Sequence, residues 1–367
     1  MSNRVYIAAT RQNDGKTIVS LGLLSALRKK IPHVGYMKPV GQQYKIVDGK
    51  KIDKDAVLMK RIFDLRGDLA DMSTIAIPRG FTENYIRKGG YSALVKRVQK
   101  GFRQLSELND FILLEGTGHA GVGSVFDMSN SVVARLLSSK VVIVSCGGIG
   151  RPIDEIMLNK AKFDQAGVEV IGVIVNKVLR SKYRKINRLV RRGLERKKVN
   201  VLGVVPFDQV LSNPTVSELL EDLDGELICG DGGLDKIVER FVIGDVVPHE
   251  ALSYFRGGTL LITPGNREDF IFSALSSWVL GLTKKYYISG IIATYGSRPS
   301  KKMIDLIART NIPLILVKED SFSTAQKINN MIFKLRADDK PKIECTEKLI
   351  EQYVDINRLY RLIKRRK

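Results

Sequence analysis

Residues Ala9-Thr10-Arg11-Gln12-Asn13-Asp14-Gly15-Lys16-Thr17 carry the groups that polyphosphate chemistry needs. They follow an apolar run, Val5–Ala9, and open a helical pattern over Thr17–Lys29. A loop between strand and helix presents successive backbone N–H groups to an anion, and the helix dipole adds to the attraction. Lys16 is placed to reach β- and γ-phosphate oxygens, and the Thr17 hydroxyl to take Mg2+. The candidate nucleotide contacts in the loop are Asn13, Asp14, Gly15, Lys16, Thr17 and Ile18. One position departs from the usual loop. Five residues before Gly15, where a glycine is expected, stands Thr10.

Three more polar residues stand at or near the ends of apolar runs. Lys38 closes Val34–Lys38, and a lysine there, beside Lys16, would neutralise the oxygens of a phosphoryl group in transfer. Lys16 and Lys38 are therefore the candidate catalytic residues. Glu115 closes Phe111–Glu115 and precedes Gly116, Gly118, Gly121 and Gly123. A carboxylate at that point of a phosphate-binding fold holds Mg2+, directly or through water. Asp55, in Lys51-Ile52-Asp53-Lys54-Asp55-Ala56, is a second candidate ligand, with a helix N-cap as the plain alternative. Thr17, Asp55 and Glu115 make up the candidate metal set.

Such residues need a scaffold that brings strand ends together. The first 215 or so residues alternate apolar strand-like runs with helical stretches. The strand-like runs are Val5–Ala9, Val34–Lys38, Phe111–Glu115, Val141–Ser145, Val170–Asn176 and Val201–Pro206. Thr17–Lys29 and Asp154–Gln165 are among the helical ones. Continuous apolar strands between helices imply an α/β fold, a parallel sheet with helices on both faces. Ligands on such sheets bind at the carboxyl ends of the strands, where these polar residues lie.

A break at Pro206 to Pro214 and the turn-rich Cys229-Gly230-Asp231-Gly232-Gly233 lead into a second region. There Thr259–Thr263, Ile288–Ala293 and Leu314–Val317 read as strands of a smaller α/β domain. Within it, Gly265-Asn266-Arg267-Glu268-Asp269 is either an anion site with Arg267 on a phosphate or a capped helix with a charged first turn. The expected domains are residues 1–215, 225–340 and a basic C-terminal helix over 341–367, helical from about Thr346 and ending in "KRRK".

The chain has 367 residues, 44% of them apolar, which permits a large core. No apolar run reaches the roughly 20 residues of a membrane span, and Met1–Ala8 turns polar too soon for a signal peptide. A cytoplasmic location and no membrane partner are expected. Cys146, Cys229 and Cys345 are far apart, and His33, His119 and His249 do not cluster, so neither a disulfide framework nor a zinc site is expected. Net charge is +21, and residues 180–198 hold ten Lys and Arg against one Glu. Tyr183 is the lone aromatic in that stretch, so a solvated helix is preferred over a nucleic-acid surface.

The N-terminal part resembles the dethiobiotin synthetase family of P-loop proteins. The matching features, in order, are Ala9–Thr17, Lys38-Pro39-Val40, Asp55-Ala56 and Glu115-Gly116. The family's loop is one residue longer, with its first glycine at the position of Ala9. Gly172-Val173-Ile174-Val175-Asn176 matches a strand whose asparagine contacts adenine, and Gly203–Asp208, with Pro206, matches a loop near the base. The resemblance implies ATP and Mg2+ as cofactors, held by Gly15, Lys16, Thr17, Asp55, Glu115 and Asn176, with Lys38 stabilising the phosphoryl group. Two departures stand out: Asn13 replaces the family's acidic loop residue, and a substrate-holding serine is replaced around Gly41-Gln42. Dethiobiotin synthesis is therefore not expected. Glu115–Asn130 is also similar to the N-terminal domains of some phosphotransacetylases and to P-loop relatives of the cobyrinate amidases, without a recognisable counterpart of either family's other catalytic domain. Through Leu260–Ile271, Ser289–Ser300 and Ile312–Ala325, and without the literal pentapeptide, residues 225–340 resemble the DRTGG domain, which is regarded as regulatory or ligand-sensing. Two functions are expected: an enzyme phosphorylating a carboxylate or carbamate with MgATP, or a sensor of ATP and a metabolite acting on a partner enzyme. The expected partner is a small-molecule substrate or effector, with a homodimer left open.

Overall fold

Asn3–Ala9 and Phe111–Glu115 are apolar on both faces, with Val5, Ile7, Ala8, Phe111, Leu113 and Leu114 wholly buried. Only a strand in the middle of a sheet covered on both sides meets that condition. The computed structural model, which describes residues 3–244, 247, 250, 253–279, 287–331 and 335–365, places both strands there. The sheet has six parallel strands in the order Val201–Pro206, Val170–Val178, Lys140–Cys146, Asn3–Ala9, Phe111–Glu115, Val34–Met37. Ala9 pairs with Val144 on one side and Ile7 with Glu115 on the other, so the loop after Ala9 and the Glu115 carboxylate share one sheet end. His249, Arg366 and Lys367 lie outside the described residues.

The chain divides into two compact units. The first joins Met1–Asp208 to Arg336–Lys367, and the second is Gln209–Leu335. The C-terminal segment therefore belongs to the P-loop unit and is not a domain of its own. It forms two helices, Lys340–Tyr353 and Ile356–Lys364, where the sequence reading expects one. The break has a local cause. Val354 bridges Gly203 beside the sheet-edge strand, and Asp355 accepts the N–H of Arg358 to cap the next helix. No glycine or proline marks the interruption.

These helices explain the composition of the loop helix, Lys16–Arg28, which buries Val19, Leu21, Leu23, Leu24 and Leu27 all round. A helix apolar on every side must be covered on every side. Ile350 packs over Gly22, Ser25 donates to Glu347 at 2.7 Å, and Lys29 pairs with Glu351 at 2.8 Å. The chain that returns after the second unit thus clasps the helix that carries the phosphate loop.

In the second unit five strands run in the order Glu226–Cys229, Leu314–Leu316, Ile288–Thr294, Thr259–Pro264, Arg240–Ile243, with Glu226–Cys229 antiparallel. Leu261 and Ile291 face one apolar cluster with Phe270 and Leu275. Leu260, Ile262 and Ile292 face the other with Val216 and Leu219. The helix Val216–Asp222, opened by a Thr215–Glu218 capping box, belongs to this core. The first unit's opening segment therefore ends about seven residues before the boundary expected from sequence, at Asp208. No helix among the described residues is long and apolar enough to cross a membrane.

The clasp gives a stability test. Ile350→Ala removes a wholly buried side chain and is expected to cost about 2–5 kcal/mol in chemical denaturation. An unchanged unfolding midpoint would show that the C-terminal helices do not hold the loop helix.

Candidate nucleotide site

The loop after Ala9 is braced from inside. Asp14 is buried, and its carboxylate accepts from the Thr10 hydroxyl at 2.5 Å, the Arg11 N–H at 2.8 Å and the Cys146 thiol at 3.1 Å. The side chain of Asp14 is thus spent on bracing the loop. Burial and the Asp14 carboxylate push the Cys146 thiol up to about 11. Asn13 and Gly15 both lie in the left-handed region, with φ of 67° and 92°. Gly15 is needed twice over, because a Cβ there would stand 2.3 Å from Asn176 Nδ2. Asn176 donates from that atom to the Asp14 carbonyl at 3.1 Å. The amide that the resemblance assigns to adenine is thus engaged with the loop. Lys177, which the sequence reading passed over, has φ 56° and donates to the Asn13 carbonyl at 2.7 Å. Pro206 is buried at the end of its strand, opposite Val178.

Lys16 begins the helix behind Gly15 and is 9% exposed. Among the described residues its ammonium has no hydrogen bond or ion pair. Burial lowers its proton affinity, and the Glu115 charge acts in the opposite sense. Thr17, on the same turn, donates to Glu115 at 3.2 Å. Ile18 is half-buried beside it.

Lys38 has the opposite environment. Its ammonium lies 3.2 Å from Asp53 and 3.8 Å from Glu115, and it is hydrogen-bonded to Asp55. All four side chains are buried. The three carboxylates hold Lys38 protonated, against a burial effect that alone would lower its proton affinity. Burial raises the proton affinity of Asp53 and Glu115 in turn, while Lys38 opposes that rise. Tyr36 donates to the second Glu115 oxygen at 3.0 Å.

Asp53 is the member of this group that the sequence reading missed. It caps the helix Lys54–Phe63 by accepting from the Asp55 N–H at 2.9 Å, the role the reading offered to Asp55. The Asp-Lys-Asp spacing was the available signal: a cap and the residue two beyond it can face one point. Gly41 makes room for it, since a Cβ there would lie 2.2 Å from Asp53 Oδ2.

Hard oxygen donors suit Mg2+, which in nucleotide sites takes one or two carboxylates together with phosphate oxygens. Asp55 and Glu115 meet at Lys38, and Thr17 reaches Glu115. Among the described residues, however, no group of three His, Cys, Asp or Glu side chains is arranged to hold a metal unaided. The donors fit an ion completed by a nucleotide, and do not form a closed cage for a metal alone.

Two other candidates are already engaged. Arg267 makes a two-point pair with Asp269, both contacts at 3.0 Å, so the charge proposed for a phosphate is matched within its own turn. The basic stretch forms the helix Tyr183–Glu195, which buries Ile186, Val190 and Leu194 on one side and turns most of its cations to solvent. Cys146, Cys229 and Cys345 are not joined in disulfides.

Comparison with known proteins agrees with this architecture. A family profile described as an AAA domain matches residues 3–215, and one described as a DRTGG domain matches residues 218–331. Phosphate acetyltransferase of Nitratidesulfovibrio vulgaris is 29% identical over 100% of this chain and 52% of its own length. That of Synechocystis sp. is 26% identical over 99% of this chain and 52% of its own length. The chain spans about half the length of the curated relatives it matches. Among solved structures, the MinC:MinD cell division complex of Aquifex aeolicus is 14% identical at a TM-score of 0.38, over 57% of this chain and 84% of that one. The first profile covers more than half of the sequence, and the chain belongs to the AAA-domain family, with a DRTGG domain following its phosphate-loop domain.

Proposed function

We propose that the chain binds MgATP at the Asn13–Ile18 loop. One observation carries the reading: Lys16 is a buried cation with no ion pair among the described residues, set at the start of a helix behind a left-handed glycine. A buried unpaired charge costs free energy in the folded chain, and an anion that binds there removes the cost. Thr17, Asp55 and Glu115 would hold Mg2+, which when bound supplies charge neutralisation at the β- and γ-phosphate oxygens. Lys16 stabilises the triphosphate, and Lys38 the phosphoryl oxygens as charge develops on them. In the enzymatic reading the acceptor is a carboxylate or carbamate.

The packing of Gly41 against Asp53 speaks against dethiobiotin synthesis. A serine brought to that position would put its Cβ into the Asp53 carboxylate. The second reading, a sensor acting on a partner enzyme, draws support from the state of Lys38. It is held by three carboxylates, Asp53, Asp55 and Glu115. The curated relatives are named phosphate acetyltransferases, which makes such an enzyme the first partner to test.

Lys16→Met is expected to weaken MgATP binding at least tenfold in calorimetry, since a charge-assisted contact of about 1.5–3 kcal/mol is lost. The same change should leave the melting temperature of the nucleotide-free chain unchanged or higher, because it removes a buried unpaired charge. Full ATP affinity in this variant would end the nucleotide reading.

Replacing Gln209–Leu335 with a flexible linker separates the two functions. It should keep ATP binding, because the whole P-loop unit is retained. In the sensor reading it should also abolish any effect of the chain on a phosphate acetyltransferase. In the enzymatic reading, the full chain's ATP turnover should rise when the right small carboxylate or amine is added, and no partner should be required.

A further inference from the structure

Lys38 is committed to carboxylates. Its ammonium sits among Asp53, Asp55 and Glu115, and two of those carboxylates are ones that a divalent ion would need. The group is buried, with Lys38 at 7% and Glu115 at 0% exposure. Three carboxylates surround one ammonium, in a setting where unmatched charge is costly. Thr17 already donates to Glu115 and Tyr36 to its other oxygen, so the Glu115 carboxylate is preoriented. A cation is needed at this point, and Lys38 supplies it.

We infer that Lys38 is a tethered counter-ion which occupies the divalent-cation position until nucleotide arrives, and that its transfer to phosphate admits the metal. The inference rests on the nucleotide reading above. Without nucleotide, a metal ion must displace Lys38, and the displaced ammonium meets the like charge of Lys16. With nucleotide, the phosphate oxygens offer that second anion, and the carboxylates are released to the metal. Asp53 is then a positioning residue: it holds Lys38 and caps the Lys54–Phe63 helix that presents Asp55. Binding of metal and of nucleotide is thereby coupled through one side chain, and the coupling is reciprocal.

The test measures binding, not turnover. Mn2+ is titrated by electron paramagnetic resonance into nucleotide-free wild type, Lys38→Met and Lys38→Arg, each first shown to melt cooperatively. Lys38→Met is expected to bind Mn2+ at least tenfold more tightly than wild type, and Lys38→Arg no more tightly. Equal or weaker binding to a folded Lys38→Met overturns the inference.

A second measurement needs no charge-removing variant. In the wild-type chain labelled with 15N at lysine Nζ, the Lys38 signal is identified by its loss in Lys38→Arg. It should move when a non-hydrolysable ATP analogue and Mg2+ are added together, and stay in place with Mg2+ alone. Movement with Mg2+ alone, or none with both, overturns the inference. A wild type that binds no analogue at all would instead overturn the nucleotide reading, so the two failures are distinguishable.

Discussion

The organising constraint is charge buried at the carboxyl ends of parallel strands. Apolar strands can pack helices on both faces, but they end in polar residues that water does not fully reach. Here those ends carry Lys16, which has no ion pair among the described residues, and Lys38, which has three. Buried charges are costly whether unpaired or paired, so the surrounding structure has to hold them in place. The interlocked loop, the capped Lys54–Phe63 helix and the clasped Lys16–Arg28 helix all do so.

The loop keeps its shape without an opening glycine. Ala9 ends its strand in regular pairing with Val144, and Thr10 is not among the positive-φ residues. The bend is carried by Asn13 and Gly15, and its rigidity comes from Asp14 accepting three donors. The Thr10 hydroxyl is one of those donors, so threonine at this place is a structural part of the loop. An acidic residue does occur in the loop at Asp14, one position after Asn13, and it faces inward.

Much of this was legible in the sequence. The six strands of the first sheet could be read because a continuous apolar run is what a strand buried on both faces requires, and three of these runs end in Glu115, in Lys38 or in the loop before Gly15-Lys16-Thr17. The short edge strands Glu226–Cys229 and Arg240–Ile243 could not, since four residues carry too little periodicity. The C-terminal clasp was hidden for a different reason. Lys340–Tyr353 has an ordinary amphipathic pattern, and nothing in it states that its partner is a helix more than three hundred residues earlier. Asp53 was overlooked because a helix cap and a ligand to Lys38 use the same side chain, and only the fold shows both roles at once.

The most direct measurement is a crystal structure of the chain with Mg2+ and a non-hydrolysable ATP analogue. The account predicts the triphosphate lying against the backbone N–H groups of Asn13 to Thr17, with Lys16 on its oxygens. A triphosphate bound elsewhere, with Lys16 still unpaired and buried, would contradict it.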